Sequence, residues 1–162
     1  MLFELASRLG DVKSGDSVEL FIDSPGGNAD MGLAIADKIK ALQEGGVKFT
    51  CVALRAYSAA FMIWSECSNR LVLAYGKVMF HYPYLVVSGK VTKDVAAEML
   101  KDIETVTEQY RSRLIKTLWY VTPAAIDAAA KEDRIFMGRE FCFTFAPNSC
   151  KVVYLYSHLE GK

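Results

Sequence analysis

Apolar and polar positions along this chain keep one rhythm in its first half and another in its second. Val18-Glu19-Leu20-Phe21-Ile22 is a short apolar run bounded by polar turn residues, which predicts a buried strand. The turn residues Asp23-Ser24-Pro25-Gly26-Gly27-Asn28 end it. Met31, Ile35, Ile39 and Leu42 then recur at helical spacing until Gly45-Gly46, predicting an amphipathic helix. Phe49 to Leu54 reads as a second strand, and Ala59 to about Ser65 as a short, wholly apolar helix. Two further strands are predicted near Leu71–Ala74 and Val78–Tyr82. Strands alternating with helices imply an α/β fold with a parallel sheet and crossover connections. From Thr92 to about Trp119 the rhythm changes. Val95, Met99, Ile103, Val106, Tyr110, Leu114 and Leu118 recur at steps of three and four, predicting one long helix of about 40 Å at 1.5 Å per residue. Thr92 is placed to cap it, with Asp94 in its first turn. Thr122-Pro123 starts another helix, with threonine as N-cap and proline at the first helical position.

Composition narrows the function classes. At 162 residues the chain has room for one domain with a substantial core and little room for two. Apolar residues make up 52% and the formal net charge is zero, which fits a compact fold that buries extra surface against copies of itself. No basic cluster tracks a phosphate backbone, so nucleic-acid binding has no electrostatic support. Cys51, Cys67, Cys142 and Cys150 form no CxxC pair and no metal-ligand spacing with the two histidines. The simplest expectation is reduced thiols in a cytoplasmic protein that needs no metal or cofactor. The opening MLFELASRLG is too short and too charged for a signal peptide, and no apolar run is long enough to span a bilayer.

Three segments carry candidate chemistry. Ser58 lies between an apolar strand and an apolar helix, in Ala56-Tyr57-Ser58-Ala59-Ala60. A serine there is either a plain helix N-cap or a hydroxyl presented at a sheet edge beside the positive end of a helix dipole. The G-x-S-x-G of the α/β-hydrolase elbow is absent. The Gly26-Gly27 turn is either an ordinary turn or a pair of backbone donors free of side chains, suited to an oxyanion. Phosphate binding is disfavoured, because the lysine and following Ser/Thr of a P-loop are missing. His81 stands where Val78-Met79-Phe80-His81-Tyr82-Pro83 runs out at a proline, as a rim histidine or a general base. His158, in a polar tail, is given no role.

Taken in order, these segments resemble the ClpP family, the peptidases of Clp ATP-dependent proteases, from about Met1 to Met137 and most clearly from Ser17 to Pro83. The histidine setting Val-Met-x-His-x-Pro matches closely, and the Ala-Ser-Met-Gly setting of the family nucleophile matches Ala56 to Ala60 loosely. The resemblance implies a ClpP/crotonase-like ββα spiral core with a protruding handle helix. One peptidase domain would cover 1–162, with a head core at 1–91 and 120–140, the handle at 92–119 and a divergent C-terminal tail at 141–162. It implies Ser58 as nucleophile, His81 as general base, and the N–H groups of Gly27 and Ala59 as the oxyanion hole. Asp133, in Lys131-Glu132-Asp133-Arg134-Ile135-Phe136, matches the triad aspartate with Phe136 displaced by one residue, and Asp127 is the reserve. It also implies a ring homo-oligomer joined through helix 92–119, an AAA+ unfoldase partner, and cleavage of unfolded polypeptides or peptides. Cleavage after apolar residues is expected by analogy with the family and from the run Phe61-Met62-Ile63-Trp64 beside the nucleophile.

The chain departs from the family in three places. It opens within the family's first helix, so the N-terminal loops that line the pore and help dock the ATPase are not represented. Tyr84-Leu85-Val86-Val87-Ser88-Gly89 replaces the glycine-rich stretch after the histidine. After Met137 the usual ending gives way to Gly138-Arg139-Glu140-Phe141-Cys142-Phe143-Thr144-Phe145, which does not align. Other readings stand beside the first: a Ser–Lys peptidase of signal-peptide-peptidase-A type using Lys93, Lys101 or Lys116, a crotonase-type acyl-CoA enzyme, or a catalytically inactive ring subunit.

Overall fold

The computed structural model describes residues 5, 7–147 and 149–154. Among the described residues the elements run in the order β1 (Ser17–Ser24), α1 (Ala29–Glu44), β2 (Lys48–Tyr57), α2 (Ala59–Glu66), β3 (Asn69–Met79), α3 (Lys93–Thr117), α4 (Pro123–Lys131), β4 (Ile135–Met137), α5 (Gly138–Thr144) and β5 (Lys151–Val153). The α/β class and the parallel sheet expected from the apolar runs are present. β1, β2 and β3 pair in parallel. The far edge of β3 is shared, with β5 beside Leu71–Leu73 in parallel and β4 beside Lys77–Met79 antiparallel.

The two strands expected around 71–82 are one strand with an interruption. Between its two paired stretches, β3 advances from Val72 to Lys77 while β2 advances only from Ala53 to Arg55. The extra residues split the apolar pattern without ending the strand. β3 stops at Met79, so His81 lies just past the sheet and not within it.

Alternation sorts the strands onto two faces. Cys51, Ala53 and Val72 enter the main core with α1, α2 and the inner end of α3, whereas Val52, Leu71 and Leu73 form a small cluster on the opposite face. α2 is apolar all round because it is buried all round; its residues Ala59 to Ser65 are inaccessible. Trp64 of this helix donates its indole N–H to Leu71 O at 2.9 Å.

α3 divides in the middle. Its inner residues Tyr110 and Leu114, with Leu118 beyond its end, are buried in the core. Its outer residues Val95 and Leu100 are exposed. Trp119 follows at 64% exposure. No helix among the described residues is long and apolar enough to cross a membrane.

The chain beyond 140 is more than a tail. Phe141 and Phe145 pack against Phe61, Phe80 and Phe136, with ring centroids between 4.8 and 6.0 Å apart, and β5 completes the sheet. The head therefore continues through residue 154. The cysteines also differ from expectation. Cys51 is bonded to Cys67 and Cys142 to Cys150, with Cα separations of 6.0 and 5.3 Å, leaving no free thiol among the described residues. Sequence spacing carried no sign of this, because the pairs are made by packing: the middle of β2 against the end of α2, and α5 against the approach to β5. The expectation of reduced thiols falls, and with it the composition argument for a cytoplasmic setting.

Candidate active site

β2 ends at Tyr57 and α2 begins at Ala59, leaving Ser58 to turn the chain alone. It does so at φ 53° and ψ −123°, a conformation unusual for a residue with a side chain. Three backbone hydrogen bonds hold it there. Ser58 N–H donates to Met79 O at 2.9 Å, and Ser58 O accepts from Phe61 N at 2.9 Å and Met62 N at 3.3 Å. The hydroxyl makes no capping bond to α2. It lies instead 2.7 Å from His81 Nε2, which separates the two sequence readings of this serine.

Small residues make that turn possible. Gly26, at φ 96°, lies so close that a Cβ on it would stand 2.6 Å from Tyr57 O and 2.7 Å from Ser58 Cβ. A Cβ on Gly32 of α1 would meet the Ala59 Cβ at 2.8 Å. The Ser24–Asn28 turn and the start of α1 are thus pressed onto the serine turn. Buried Ser24 accepts from Gly26 N–H at 3.2 Å, and Asn28 caps α1 through Met31 N–H at 2.8 Å. The turn brings Gly27 to the same cleft as Ser58. Ala59, in the first turn of α2, has an N–H with no partner four residues back in its own helix.

His81 is positioned from both sides. Phe80 before it is buried 5.2 Å from the Phe61 ring and 5.9 Å from the Phe136 ring. Tyr82 after it donates its hydroxyl to Asp127 Oδ1. Asp127 also accepts from Arg111 Nε at 3.0 Å and Nη2 at 3.2 Å. These two donors hold the Asp127 carboxyl below the usual carboxylate range. Burial, then the bond to Asp127, pushes the Tyr82 hydroxyl up to about 12. The His81 side chain is 11% exposed, and the Tyr84 ring stands edge-on 5.4 Å away.

His81 Nδ1 lies 2.8 Å from Asp133 Oδ1. The register of β4 explains this contact across 52 residues. Ile135 pairs with Met79 and Phe136 with Val78, so the residue two before β4 arrives beside the residue two after β3. Asp133 reaches that position at φ 49°. The reserve acid, Asp127, is committed to Tyr82 and Arg111 instead. With Nδ1–H donating to Asp133, Nε2 is an acceptor facing the Ser58 hydroxyl.

Ser58 and His81 open into a cleft of about 550 Å³ lined by the 25–30 turn, Tyr84 and Leu85 after the histidine, and Asp102, Ile103, Val106 and Tyr110 of α3. The run Phe61 to Trp64 does not line it. All four side chains are buried in the core, so this run gives no support to apolar specificity, and only the family analogy remains for it. None of Lys93, Lys101 and Lys116 lines the cleft; Lys116 faces a separate groove beside Arg113. His158 lies outside the described residues. Sequence reading missed the roles of Tyr82 and Arg111 and the close packing of Gly26 on Ser58. Only Gly26 left a signal, as half of the Gly-Gly turn.

The family model described as Clp protease matches residues 7–143. An ATP-dependent Clp protease proteolytic subunit from Glycine max is 32% identical over 126 residues, covering 75% of this chain and 63% of that protein. One from Eucalyptus globulus subsp. globulus is 36% identical over 108 residues, covering 64% of this chain and 54% of that protein. The chain thus spans less than two thirds of the length of these relatives. In three dimensions it superposes on a mutant of ClpP1 from Listeria monocytogenes with a TM-score of 0.77, at 20% identity, over 98% of this chain and 86% of that one. That likeness concerns the fold. With the family match over most of its length, the chain belongs to the Clp protease family, a family of serine-type peptidases.

Proposed function

We propose that this chain is a serine endopeptidase in which Ser58, His81 and Asp133 act as one unit. The observation that carries this reading is the continuous hydrogen-bonded line from Ser58 Oγ to His81 Nε2 at 2.7 Å and from His81 Nδ1 to Asp133 Oδ1 at 2.8 Å. As Ser58 Oγ attacks a peptide carbonyl carbon, its proton passes to His81 Nε2. Negative charge develops on the carbonyl oxygen, where the N–H groups of Gly27 and Ala59 stabilise it by a few kcal/mol each. His81 then gives the proton to the leaving amine, and a water deprotonated by the same nitrogen releases the acyl group from Ser58. Asp133 keeps Nδ1 protonated and stabilises the imidazolium; it takes no proton itself. A fluorophosphonate probe tests the reading. A single covalent adduct on Ser58, lost in Ser58→Ala, is expected, and a folded protein that takes no label overturns it.

We place the chain in a ring homo-oligomer acting on unfolded polypeptides with an AAA+ unfoldase, as family resemblance implies. The exposed outer half of α3 supports assembly, since Val95 and Leu100 have no core to enter within the chain. Val95→Glu with Leu100→Glu is the suitable disruption, because Ile103 and Val106 line the cleft and their replacement would confound assembly with binding. Native mass spectrometry should show the double variant dissociated; a wild-type chain that is monomeric and fully active at micromolar concentration overturns the assembly.

A further inference from the structure

The cleft beside Ser58 has a chemistry of its own. Along one face of α3, Asp102, Ile103, Val106 and Tyr110 follow one another over about 12 Å at 1.5 Å per residue. Asp30, in the first turn of α1, lines the same cleft from the other helix. No lysine or arginine lines the cleft among the described residues, and neither Asp30 nor Asp102 has an ion-pair partner there. The two arginines near Tyr110 in sequence are committed elsewhere: Arg111 to Asp127, and Arg113, whose charge Tyr110 feels, to Asp37 and Glu66 in the separate groove.

Tyr110 supplies an independent observation. It is 2% exposed, it lines the cleft, and its hydroxyl is buried without a hydrogen-bond partner. A buried hydroxyl left unpaired is costly, so it is a standing place for a ligand donor. Burial and the Asp30 charge both raise its pKa, which keeps it a neutral acceptor.

We propose that this cleft selects peptides carrying lysine or arginine as the residue whose carbonyl Ser58 attacks. The methylene stem of such a side chain packs on Ile103 and Val106, while its cationic tip meets the two carboxylates and the Tyr110 hydroxyl. A leucine would fill the apolar wall and leave all three polar groups without a partner. A glutamate would meet like charge at both carboxylates. The inference rests on the reading of Ser58 as nucleophile.

Three fluorogenic peptides identical except for Lys, Leu or Glu before the reporter group test it, with fluorophosphonate labelling run alongside on the full-length assembled protein. At low salt, kcat/KM for the lysine peptide should exceed that for leucine by about tenfold and that for glutamate by about a hundredfold, and the lysine advantage should shrink as salt is raised. Asp30→Asn should lower the lysine-to-leucine ratio about fivefold or more, and Asp102→Asn should lower it too, which keeps the test open if the first variant misfolds. Tyr110→Phe should lower the ratio without changing the salt dependence. A labelled wild-type enzyme that prefers leucine, or a ratio unmoved by both aspartate variants, overturns the inference and leaves Ser58 as nucleophile. A protein that neither takes the label nor cuts any peptide overturns the Ser58 reading and this inference together.

Discussion

The two ends of the Ser58–His81–Asp133 line are built differently. Ser58 is held by three backbone hydrogen bonds at the junction of β2, β3 and α2, with Gly26 pressed against it and Gly32 against Ala59. Asp133 sits on the short connection between α4 and the three-residue strand β4, and its side chain is 67% exposed. One end is over-determined by packing and the other depends on a brief antiparallel pairing. Ser58 and the Gly27 and Ala59 N–H groups proposed as its oxyanion donors therefore belong to the well-packed part of the fold, and Asp133, proposed to orient the base, belongs to a part whose position is more easily changed.

The largest expected effect lies at the rigid end. Ser58→Ala should abolish peptide hydrolysis, on the order of 10⁴-fold or more, with circular dichroism and assembly unchanged; His81→Ala should cost about as much, and the double variant little more, since the two act as a unit. Next, Asp133→Asn should reduce kcat on the order of 10²- to 10⁴-fold while fluorophosphonate labelling remains detectable, because Ser58 and its donors stay in place. Equal loss of labelling in Ser58→Ala and Asp133→Asn would erase the contrast between the two ends. Gly26→Ala tests the packing itself. A Cβ within 2.7 Å of Ser58 must displace the turn, so both thermal stability and labelling rate should fall, stability by about 1–3 kcal/mol.

The smallest effect is expected between the ends, at Asp127. Its folded-state pKa is depressed by the bonds from Arg111 and Tyr82, so its contribution to stability is present above the unfolded value near about 4 and is lost as pH falls through the folded value. Asp127→Asn should give a small decrease in Tm at pH 7 that disappears on acidification. A decrease that grows below pH 4 would carry the wrong sign and point to another group.

Legibility in the sequence followed the same division. The elements around Ser58 could be read because each is specified locally: apolar runs of strand length, turn residues between them, an apolar helix after the serine. Even the length of α3 and the Thr122-Pro123 start of α4 came from local periodicity and capping. β4 and β5 were invisible at three residues each, too short to show a period, and α5 has too few turns to display a stripe. The disulfides and the Tyr82–Asp127–Arg111 contacts join residues whose proximity exists only after the head has closed. The misreading of Phe61 to Trp64 has the same origin. Apolar neighbours in sequence beside a nucleophile say nothing about which way a buried helix turns them.

The placement of the two tryptophans gives the molecule a pair of built-in optical reporters. Trp64 is sealed in the aromatic core with its indole N–H on a carbonyl, beside Phe61 and Phe141, and Trp119 stands near the end of α3, mostly in water. Their fluorescence should separate into a blue-shifted component shielded from iodide and a red-shifted one that iodide quenches. Following each component on its own would distinguish loss of the head from events on the surface beside α3, without attaching any label to the protein.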